Sequence, residues 1–331
     1  MILNRIKKII TDSIGNLSLN LEGLNVLTEV GSGFFIFTPV IAKMAKAEKI
    51  FVVVNDTAYG KGEDIINELK EILKTWNIDD SNFFFSINSV PEHFLQEADI
   101  VTNSGHLRPL NESKLKHTKN TCVIPVMYEK WELRPSDIDV DYCQQKGIKV
   151  AGTWENHPSV KIFDYCKHLM LKLIFDAGFE VKGNKIIIFG DDHYGTLLEK
   201  ACRDLEAEKV ILTRDKDVVV ENVSDADFIF FADYNNKQKL LTDSESLFDV
   251  KAIKELNDSV SIIHLAGEID DEFVKENGIN IFPDKKGYPQ RMTETLAYLG
   301  PLPILMLQTA GLRVGECLLK NDLSNELVQL L

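Results

Sequence analysis

Two glycines behind an apolar stretch are the most informative residues of this sequence. Gly190 and Gly195 enclose Asp-Asp-His-Tyr, after the run Lys-Ile-Ile-Ile-Phe and before a helical pattern. A strand, a glycine turn and a helix in this order are typical of the turn that holds the phosphates of a dinucleotide. Asp192 takes the place of the middle glycine of G-x-G-x-x-G, and its charge would repel a phosphate by about 4 kcal/mol at roughly 4 Å in a partly screened site. Asp191 and Asp192 could instead cap the helix that follows.

The next apolar strand ends in Thr213, Arg214 and Asp215. An aspartate there suits the ribose hydroxyls of NAD, whereas an arginine suits the 2′-phosphate of NADP, so both cofactors stay open. His264 ends a later strand, where it either faces a nicotinamide or fills a polar rim. The predicted cofactor contacts are Gly190, Asp191, Asp192, His193, Tyr194, Gly195, Thr213, Arg214, Asp215 and His264.

Polar residues follow four apolar strands in the first half of the chain. Because the carboxyl ends of parallel strands meet at one edge of a sheet, we expect these residues to converge on one crevice. Arginine and serine there would hold a carboxylate or phosphate, and histidine or glutamate would move a proton. The predicted catalytic residues are His106, Arg108, Glu155 and His157, and the predicted substrate contacts are Glu29, Ser32, Gly33, Asn103, Ser104, Glu129 and Glu132.

Each of these groups also has a purely structural interpretation. Asn103 and Ser104 precede a glycine, as in a common turn. Glu129 and Glu132 could belong to a solvated surface turn, and His157 before Pro158 could satisfy backbone groups at a hinge. For Glu29 a further interpretation is open, in which its carboxylate is directed at the amine of a ligand.

Several kinds of site are not predicted. The sequence has no H-x-x-H or H-E-x-x-H motif and no cysteine pair with zinc spacing, so we predict no metal site. It also lacks a G-x-S-x-G elbow and the lysine motif of a P-loop.

Composition limits the partners. The 331 residues include 37 Lys and Arg against 51 Asp and Glu, which gives a net charge of −14 and argues against binding to nucleic acid or anionic lipid. The five cysteines form no C-x-x-C pair and are typical of reduced intracellular thiols. The N-terminus predicts an amphipathic helix rather than a signal peptide, and no apolar run approaches the roughly 18 residues of a membrane span. We therefore expect a cytoplasmic protein with a small-molecule ligand.

The order of elements predicts an α/β fold of two Rossmann-like, doubly wound parallel-sheet domains with a cleft between them. The first domain is predicted at residues 1–158 plus about 293–331, and the nucleotide-binding domain at 159–292. Thr38 before Pro39 is predicted to cap a helix. Two apolar helices are predicted near the C-terminus, at about 292–306 and 311–331, and this apolar tail either forms a dimer interface or packs in the core.

Residues 137–153, a long helix and Gly-Asn-Lys-Ile-Ile-Ile-Phe-Gly from Gly183 together resemble the D-2-hydroxyacid dehydrogenases, the two-domain Rossmann family that includes formate and glycerate dehydrogenases. The resemblance covers about residues 85–283. It implies a substrate domain split by an inserted Rossmann domain, a site in the cleft and usually a homodimer. The family's catalytic arginine has no counterpart in the strand that ends at His264 and Gly267, and its late Pro-His motif is absent, since His264 is the last histidine.

These features predict an NAD(P)-binding oxidoreductase that acts on a small polar metabolite by a mechanism different from that of typical 2-hydroxyacid dehydrogenases. Alanine dehydrogenases and S-adenosylhomocysteine hydrolases share the same two-domain outline. The alternatives are therefore a non-redox enzyme that binds an adenosyl or other nucleoside ligand, of the S-adenosylmethionine or S-adenosylhomocysteine type, and a dimeric binding protein without catalysis.

Overall fold

The computed structural model describes residues 2–190 and 193–331, which form two compact units. Unit 1 contains residues 1–162 and 300–331, and unit 2 contains residues 163–299. The chain therefore leaves unit 1, builds unit 2 as an insertion, and returns to unit 1 for its last segment.

The strands of both units are short, and most are buried over the greater part of their length. They are β1 (Asn25–Glu29), β2 (Lys49–Val54), β3 (Phe83–Ile87), β4 (Ile100–Val101), β5 (Val123–Pro125), β6 (Lys149–Thr153), β7 (Lys185–Gly190), β8 (Lys209–Thr213), β9 (Phe228–Ala232), β10 (Lys239–Leu241), β11 (Ser261–Ala266), β12 (Glu268–Ile269), β13 (Asn280–Phe282) and β14 (Val328–Leu330).

The helices alternate with these strands along most of the chain. They are α1 (Leu3–Leu17), α2 (Thr38–Met44), α3 (Gly62–Thr75), α4 (Glu92–Glu97), α5 (Glu112–Leu115), α6 (Val140–Lys146), α7 (Asp164–Asp176), α8 (Tyr194–Asp204), α9 (Lys216–Asn222), α10 (Val250–Leu256), α11 (Asp271–Glu276), α12 (Leu296–Leu299) and α13 (Pro301–Lys320).

Unit 1 is built on a seven-stranded sheet in the order β3-β2-β1-β4-β5-β6-β14. Its first six strands are parallel, and β14 joins the edge antiparallel to β6. The parallel part has the 3-2-1-4-5-6 order of dinucleotide-binding Rossmann sheets, whose winding reverses between β1 and β4. Ligands of open parallel sheets bind beyond the carboxyl ends of the strands at such a reversal, which we call the switch point.

Unit 2 is built on a five-stranded parallel sheet in the order β13-β11-β9-β7-β8, with β10 and β12 as a separate parallel pair. Counted within the unit, this is the 2-1-3-4-5 order of flavodoxin-like sheets, and its switch point lies between β7 and β9. Aromatic packing holds one face together, since the rings of Phe189, Phe231 and Phe248 lie 5.0–5.6 Å apart.

Helix periodicity explains how the layers close over the sheets. The buried residues of α3 include Ile65, Ile66, Leu69, Ile72 and Leu73, which recur every three or four positions and form one apolar stripe. On one face of the unit 1 sheet, central strand residues pack in a continuous core with residues of α4, α5 and α6.

The predicted α/β class is correct, but two local predictions are wrong. The C-terminal segment forms α13 and the antiparallel strand β14 instead of two long helices. Gly300, at φ 149°, separates α12 from α13, and Asn321 in the left-handed region ends α13. Thr38 does not cap α2 because it is already helical, and its hydroxyl donates instead to Gln308 Oε1 at 3.0 Å.

By length and composition α13 could cross a membrane, but 72% of its most apolar window is buried inside the protein. Most of the apolar tail near residues 302–307 and 327–331 is likewise at least partly covered within the chain. This tail therefore gives no separate support for a dimer interface.

Candidate functional site

The turn after β7 in unit 2 is held by close contact between two glycines. A Cβ atom on Gly190 would lie 3.1 Å from the Cα of Gly195, and a Cβ on Gly195 would lie 2.7 Å from Leu212 Cδ1. Glycine at both positions therefore allows close packing of α8 against β7 and β8, which is the role of the outer glycines in a dinucleotide-binding turn. Asp191 and Asp192, the predicted cofactor contacts or helix caps, lie outside the described residues.

Aromatic residues flank the start of α8. The ring of Tyr194 is buried and lies 5.7 Å from the ring of Tyr234. His193 is exposed, and its ring meets Phe163 edge-on at 4.6 Å. Tyr194 thus contributes mainly to packing, while His193 stays at the surface of the turn.

An ion pair joins the strands on either side of β7. Arg214, directly after β8, makes two hydrogen bonds to Asp233, directly after β9, at 2.7 and 3.0 Å. The Asp233 side chain is only 2% exposed, whereas that of Arg214 is 51% exposed. Because β8 and β9 are the two neighbours of β7, this pair lies at the same sheet edge as Gly190.

The other residues at the end of β8 have local partners. Thr213 Oγ1 accepts the backbone N–H of Asp215 at 2.9 Å, and Asp215 Oδ1 accepts that of Asp217 at 2.9 Å. Asp215 therefore caps α9. Its predicted contact with a ribose stays a prediction.

His264 is completely buried in unit 2, and both of its ring nitrogens have partners. Nε2 lies 3.0 Å from the carbonyl oxygen of Pro283, so it must donate, and Nδ1 then accepts from the hydroxyl of Thr293 at 3.0 Å. Burial lowers the pKa of His264 to about 4, although the Pro283 hydrogen bond opposes the shift. The neutral ring ties β11 to the following segments and leaves no ring nitrogen for a cofactor.

In unit 1, Glu29 and His106 meet at the switch point. Glu29 ends β1, and its Oε2 accepts the backbone N–H of His106 at 2.6 Å. Desolvation raises the pKa of Glu29, while the His106 hydrogen bond and the charges of His106 and Arg108 oppose that shift. The Nδ1 of His106 accepts the backbone N–H of Asn55 at 3.2 Å, so the proton of the neutral ring lies on Nε2.

Ser32 and Gly33 follow β1 in a short 3-10 turn. Gly33 has φ 62° and no atom within 4 Å of the position where a Cβ would lie. Glycine is therefore favoured here by the left-handed backbone conformation and not by a close contact. Ser32 is partly exposed, and its side chain does not cap the turn.

Arg108 is engaged by its own unit. Its Nε and Nη2 donate to the carbonyl oxygen of Asn103 at 3.3 and 3.2 Å, its Nη1 lies 3.5 Å from Asp137, and its guanidinium stands over the ring of Tyr128. Tyr128 donates to Asp137 Oδ2 at 2.7 Å, and burial together with this hydrogen bond raises the pKa of the phenol. Arg108 therefore clamps the ends of β4 and β5, which leaves it poorly suited to hold a substrate carboxylate.

Three glutamates gather where β5 and β6 end. Glu129 Oε1 accepts the backbone N–H of Glu155 at 2.8 Å, and Glu132 Oε1 accepts that of Glu129 at 3.4 Å. Desolvation and the neighbouring Glu132 and Glu129 carboxylates raise the pKa of Glu155 well above its usual range. Desolvation and Glu129 raise the pKa of Glu132 to about 7. This cluster can hold and release protons near neutral pH.

The strand β14 positions this cluster. Gln329 donates to Glu129 Oε2 at 2.6 Å and accepts the backbone N–H of Lys130 at 2.9 Å. The loop passes so close to β6 that a Cβ atom on Gly152 would lie 2.6 Å from the nitrogen of Lys130. The prediction missed Gln329 because this segment was assigned to a helix.

His157 lies in the turn after Glu155. Its Nδ1 accepts the backbone N–H of Ser159 at 3.2 Å, and its ring meets Trp154 edge-on at 5.5 Å. These contacts fit the structural interpretation of His157, and its predicted catalytic role stays untested.

The structure thus divides the predicted site residues between two edges. The unit 1 edge brings together Glu29, Ser32, Gly33, Asn103, Ser104, His106 and Arg108 at or beside the switch point, with Glu129, Glu132, Glu155 and His157 after β5 and β6. Asp137 and Asp233 were not predicted as site residues; a search for polar residues directly after strands would have found Asp233. Within residues 2–190 and 193–331, no group of three or more His, Cys, Asp or Glu side chains is arranged to hold a metal ion.

No protein-family model matches the sequence, and a comparison with curated proteins finds no significant match. The chain is similar to solved structures at low identity, and the one at a TM-score of 0.51 supports the predicted two-domain α/β fold.

Among these structures is a dipicolinate synthase chain from Bacillus subtilis, with 14% identity, 93% of this chain and 98% of that chain covered, and a TM-score of 0.51. The dipicolinate synthase chain from Bacillus halodurans has 14% identity, coverages of 91% and 98%, and a TM-score of 0.49. A glyoxylate reductase from Paecilomyes thermophila has 12% identity, coverages of 93% and 98%, and a TM-score of 0.46.

Proposed function

We propose that this chain is an NAD(P)-binding oxidoreductase that acts on a small polar metabolite. The observation that carries the proposal is the close-packed turn of Gly190 and Gly195 between β7 and α8. In this turn a strand, two contacting glycines and a helix N-terminus occur in the arrangement that dinucleotide-binding sheets use for a pyrophosphate.

The residues around this turn fit a dinucleotide. α8 begins at Tyr194 and directs the positive end of its helix dipole to the switch point of unit 2. Arg214, half exposed and oriented by Asp233, supplies a guanidinium at the end of the second strand of the unit, where a 2′-phosphate is held in NADP-binding proteins. When bound, a nicotinamide cofactor supplies a hydride donor or acceptor.

The proton of the reaction is assigned to unit 1. A carbonyl that gains a hydride also needs a proton, and we assign its transfer to Glu155, whose pKa is raised by desolvation and by the neighbouring Glu132 and Glu129. Glu132, with its pKa near 7, is suited to exchange protons with Glu155. This assignment replaces the arginine and late histidine of typical 2-hydroxyacid dehydrogenases, which this chain lacks.

Calorimetric titration of the full chain with NAD and NADP tests the cofactor. We expect one or both to bind, and we expect Arg214→Gln to weaken NADP more than NAD. Arg203→Gln is the matched control, because Arg203 is exposed in the same unit but lies near the other end of α8, paired with Glu199. Absence of binding by both nucleotides would contradict the proposal.

A second candidate is a non-redox enzyme for an adenosyl ligand without a pyrophosphate. It is favoured by the Arg214–Asp233 pair, which offsets the positive charge at the end of β8 with a buried carboxylate. S-adenosylmethionine, S-adenosylhomocysteine and adenosine belong in the same titration. If one of these adenosyl ligands binds and neither NAD nor NADP does, the non-redox enzyme replaces the oxidoreductase as the preferred function.

The proposal includes a cytoplasmic homodimer as the working form. Light scattering coupled to size-exclusion chromatography checks the dimer, for which the expected mass is twice the 37.5 kDa of the chain.

A further inference from the structure

The switch point of unit 1 is lined by hydrogen-bond acceptors. The register pairs Leu27 of β1 with Val101 of β4, and Glu29 and Asn103 each lie two positions further along the chain, where these neighbouring strands end. Both stand at the carboxyl edge, where open parallel sheets bind their ligands.

Asn103 carries an acceptor that the protein leaves unused. Its Nδ2 donates to the hydroxyl of Tyr128 at 2.8 Å, and Tyr128 in turn donates to Asp137. This direction fixes the amide, because a hydroxyl that donates to a carboxylate must accept from the amide nitrogen. Asn103 is fully buried, and its Oδ1 has no hydrogen-bond partner among the described residues. A buried amide oxygen without a hydrogen bond destabilises the protein, and a ligand donor would remove that cost.

Glu29 adds a carboxylate to the same place. Its Oε2 receives the N–H of His106, and no hydrogen bond from the described residues reaches its Oε1. The neighbouring basic side chain, Arg108, is already held by Asp137 and by the carbonyl oxygen of Asn103. The carboxylate of Glu29 is therefore not neutralised by a direct ion pair.

Ser104 also presents an acceptor at this edge. Thr102 Oγ1 donates to Thr28 Oγ1 at 2.9 Å, so it must accept from Ser104 Oγ, which lies 2.8 Å away. Having used its only proton, Ser104 Oγ retains acceptor capacity.

We infer that the switch point of unit 1 binds the ammonium group of a small molecule through Glu29 and the Oδ1 of Asn103. An ammonium group has three donors and a positive charge, which match an unpaired carboxylate and an orphaned amide oxygen. A ligand carboxylate at this point would meet like charge and further acceptors. The inference rests on the proposed function only in identifying this amine as the substrate of the enzyme.

Paired compounds test the inference without any nucleotide. Thermal shifts of the full chain are measured with glycine and glycolate, alanine and lactate, and ethylamine and ethanol, each at the same millimolar concentrations. We expect at least one amine to raise the melting temperature while its hydroxyl partner does not, since the two differ mainly in the donor and charge.

Variants locate the binding site. Glu29→Gln keeps the acceptor for His106 but removes the charge, and we expect it to weaken amine binding at least tenfold. Glu22→Gln is the matched control, because Glu22 lies exposed before the amino end of β1, and binding should stay within twofold of the wild type. Asn103→Leu, which removes the free oxygen at similar volume, should also weaken binding and keeps the test decisive if Glu29→Gln does not fold.

The inference is overturned if no amine shifts the melting temperature, if hydroxyl partners shift it equally, or if Glu22→Gln loses as much binding as Glu29→Gln. Amine binding together with no NAD(P) binding would retain this inference and remove the proposed oxidoreductase. NAD(P) binding without amine binding would retain the proposed oxidoreductase and remove this inference.

Discussion

Each unit starts its sheet with an apolar strand that enters a glycine turn at the switch point, yet the two turns use glycine differently. In unit 2, Gly190 and Gly195 touch and let α8 pack against β7. In unit 1, Gly33 has open space and serves a positive φ, after a strand that ends in Glu29. Related strand orders thus present a helix dipole and an arginine in one unit and a carboxylate with acceptors in the other.

This difference separates the fold from the ligand. Strand order determines where a ligand binds, because it determines where the winding reverses. The charge of the bound group follows from the side chains that end the strands. On this basis we propose an anionic nucleotide for unit 2 and a cationic amine for unit 1.

The largest effect is expected from the two arginine clamps. Among the described residues, Arg214→Leu leaves buried Asp233 with one weak donor, Asn236 at 3.3 Å, and should lower the free energy of unfolding by about 2–3 kcal/mol. Arg108→Leu should lower the free energy of unfolding by about 1 kcal/mol less than Arg214→Leu does, because Asp137 keeps the hydrogen bond from Tyr128.

Urea unfolding followed by far-ultraviolet circular dichroism measures both arginine variants. Tryptophan fluorescence reports unit 1 alone, because Trp76, Trp131 and Trp154 all lie there. Adding Asp233→Asn to Arg214→Leu should recover part of the loss. A larger loss for Arg108→Leu than for Arg214→Leu would contradict the difference drawn between the two clamps.

His264 should make unit 2 sensitive to acid. Its pKa falls from 6.5 to about 4 on folding, so its contribution is complete above pH 6.5 and is lost as pH falls towards 4. We expect unit 2 to lose about 2 kcal/mol between pH 8 and pH 5 from this residue. Hydrogen exchange of peptides from β9 and β11 measures the stability of unit 2 at each pH. We expect His264→Gln to reduce the pH dependence of that stability. His168→Gln, at an exposed position in the same unit, should retain the wild-type slope.

Much of the fold could be predicted from local patterns. Apolar runs such as Lys185–Phe189 and residues 49–55 predicted strands because parallel strands are buried on both faces. The C-terminal strand β14 could not be recognised in this way, since it is short and depends on pairing with β6. Its three residues carry no periodicity that distinguishes a strand from a helix end.

The site was predictable in position but not in role. Residues at or near the carboxyl ends of strands, including Glu29, Asn103 and Arg214, were identified because these ends share one edge of the sheet. Their partners come from distant segments, as in the pair of Arg214 with Asp233 and the contact of Glu129 with Gln329. Such pairing decides whether an arginine is available to a ligand, and no sequence pattern reports it.

A smaller effect is expected where the same substitution acts on two helix glycines. Gly195→Ala places a Cβ 2.7 Å from Leu212 and should destabilise unit 2 by about 1–2 kcal/mol. Gly15→Ala, in α1 with no atom within 4 Å, should instead stabilise unit 1 by up to about 1 kcal/mol. Urea unfolding gives both changes in the free energy of unfolding. If the two changes have the same sign, close packing does not explain the glycine at position 195.

The smallest effect concerns the glutamate cluster, and its sign is opposite to that of His264. Folding raises the pKa of Glu155 and Glu132, so their contribution to stability is complete below the unfolded pKa near 4.5 and is lost as pH rises through the folded values. Glu155→Gln keeps the volume but cannot ionise, and should therefore stabilise unit 1 by about 1 kcal/mol at pH 8 with no gain at pH 5. Tryptophan fluorescence during urea unfolding measures this change in unit 1, and Glu112→Gln, at an exposed position of α5, is the control. An equal gain at both pH values would mean that Glu155 is already ionised at pH 5, and it could then not hold the proton assigned to it.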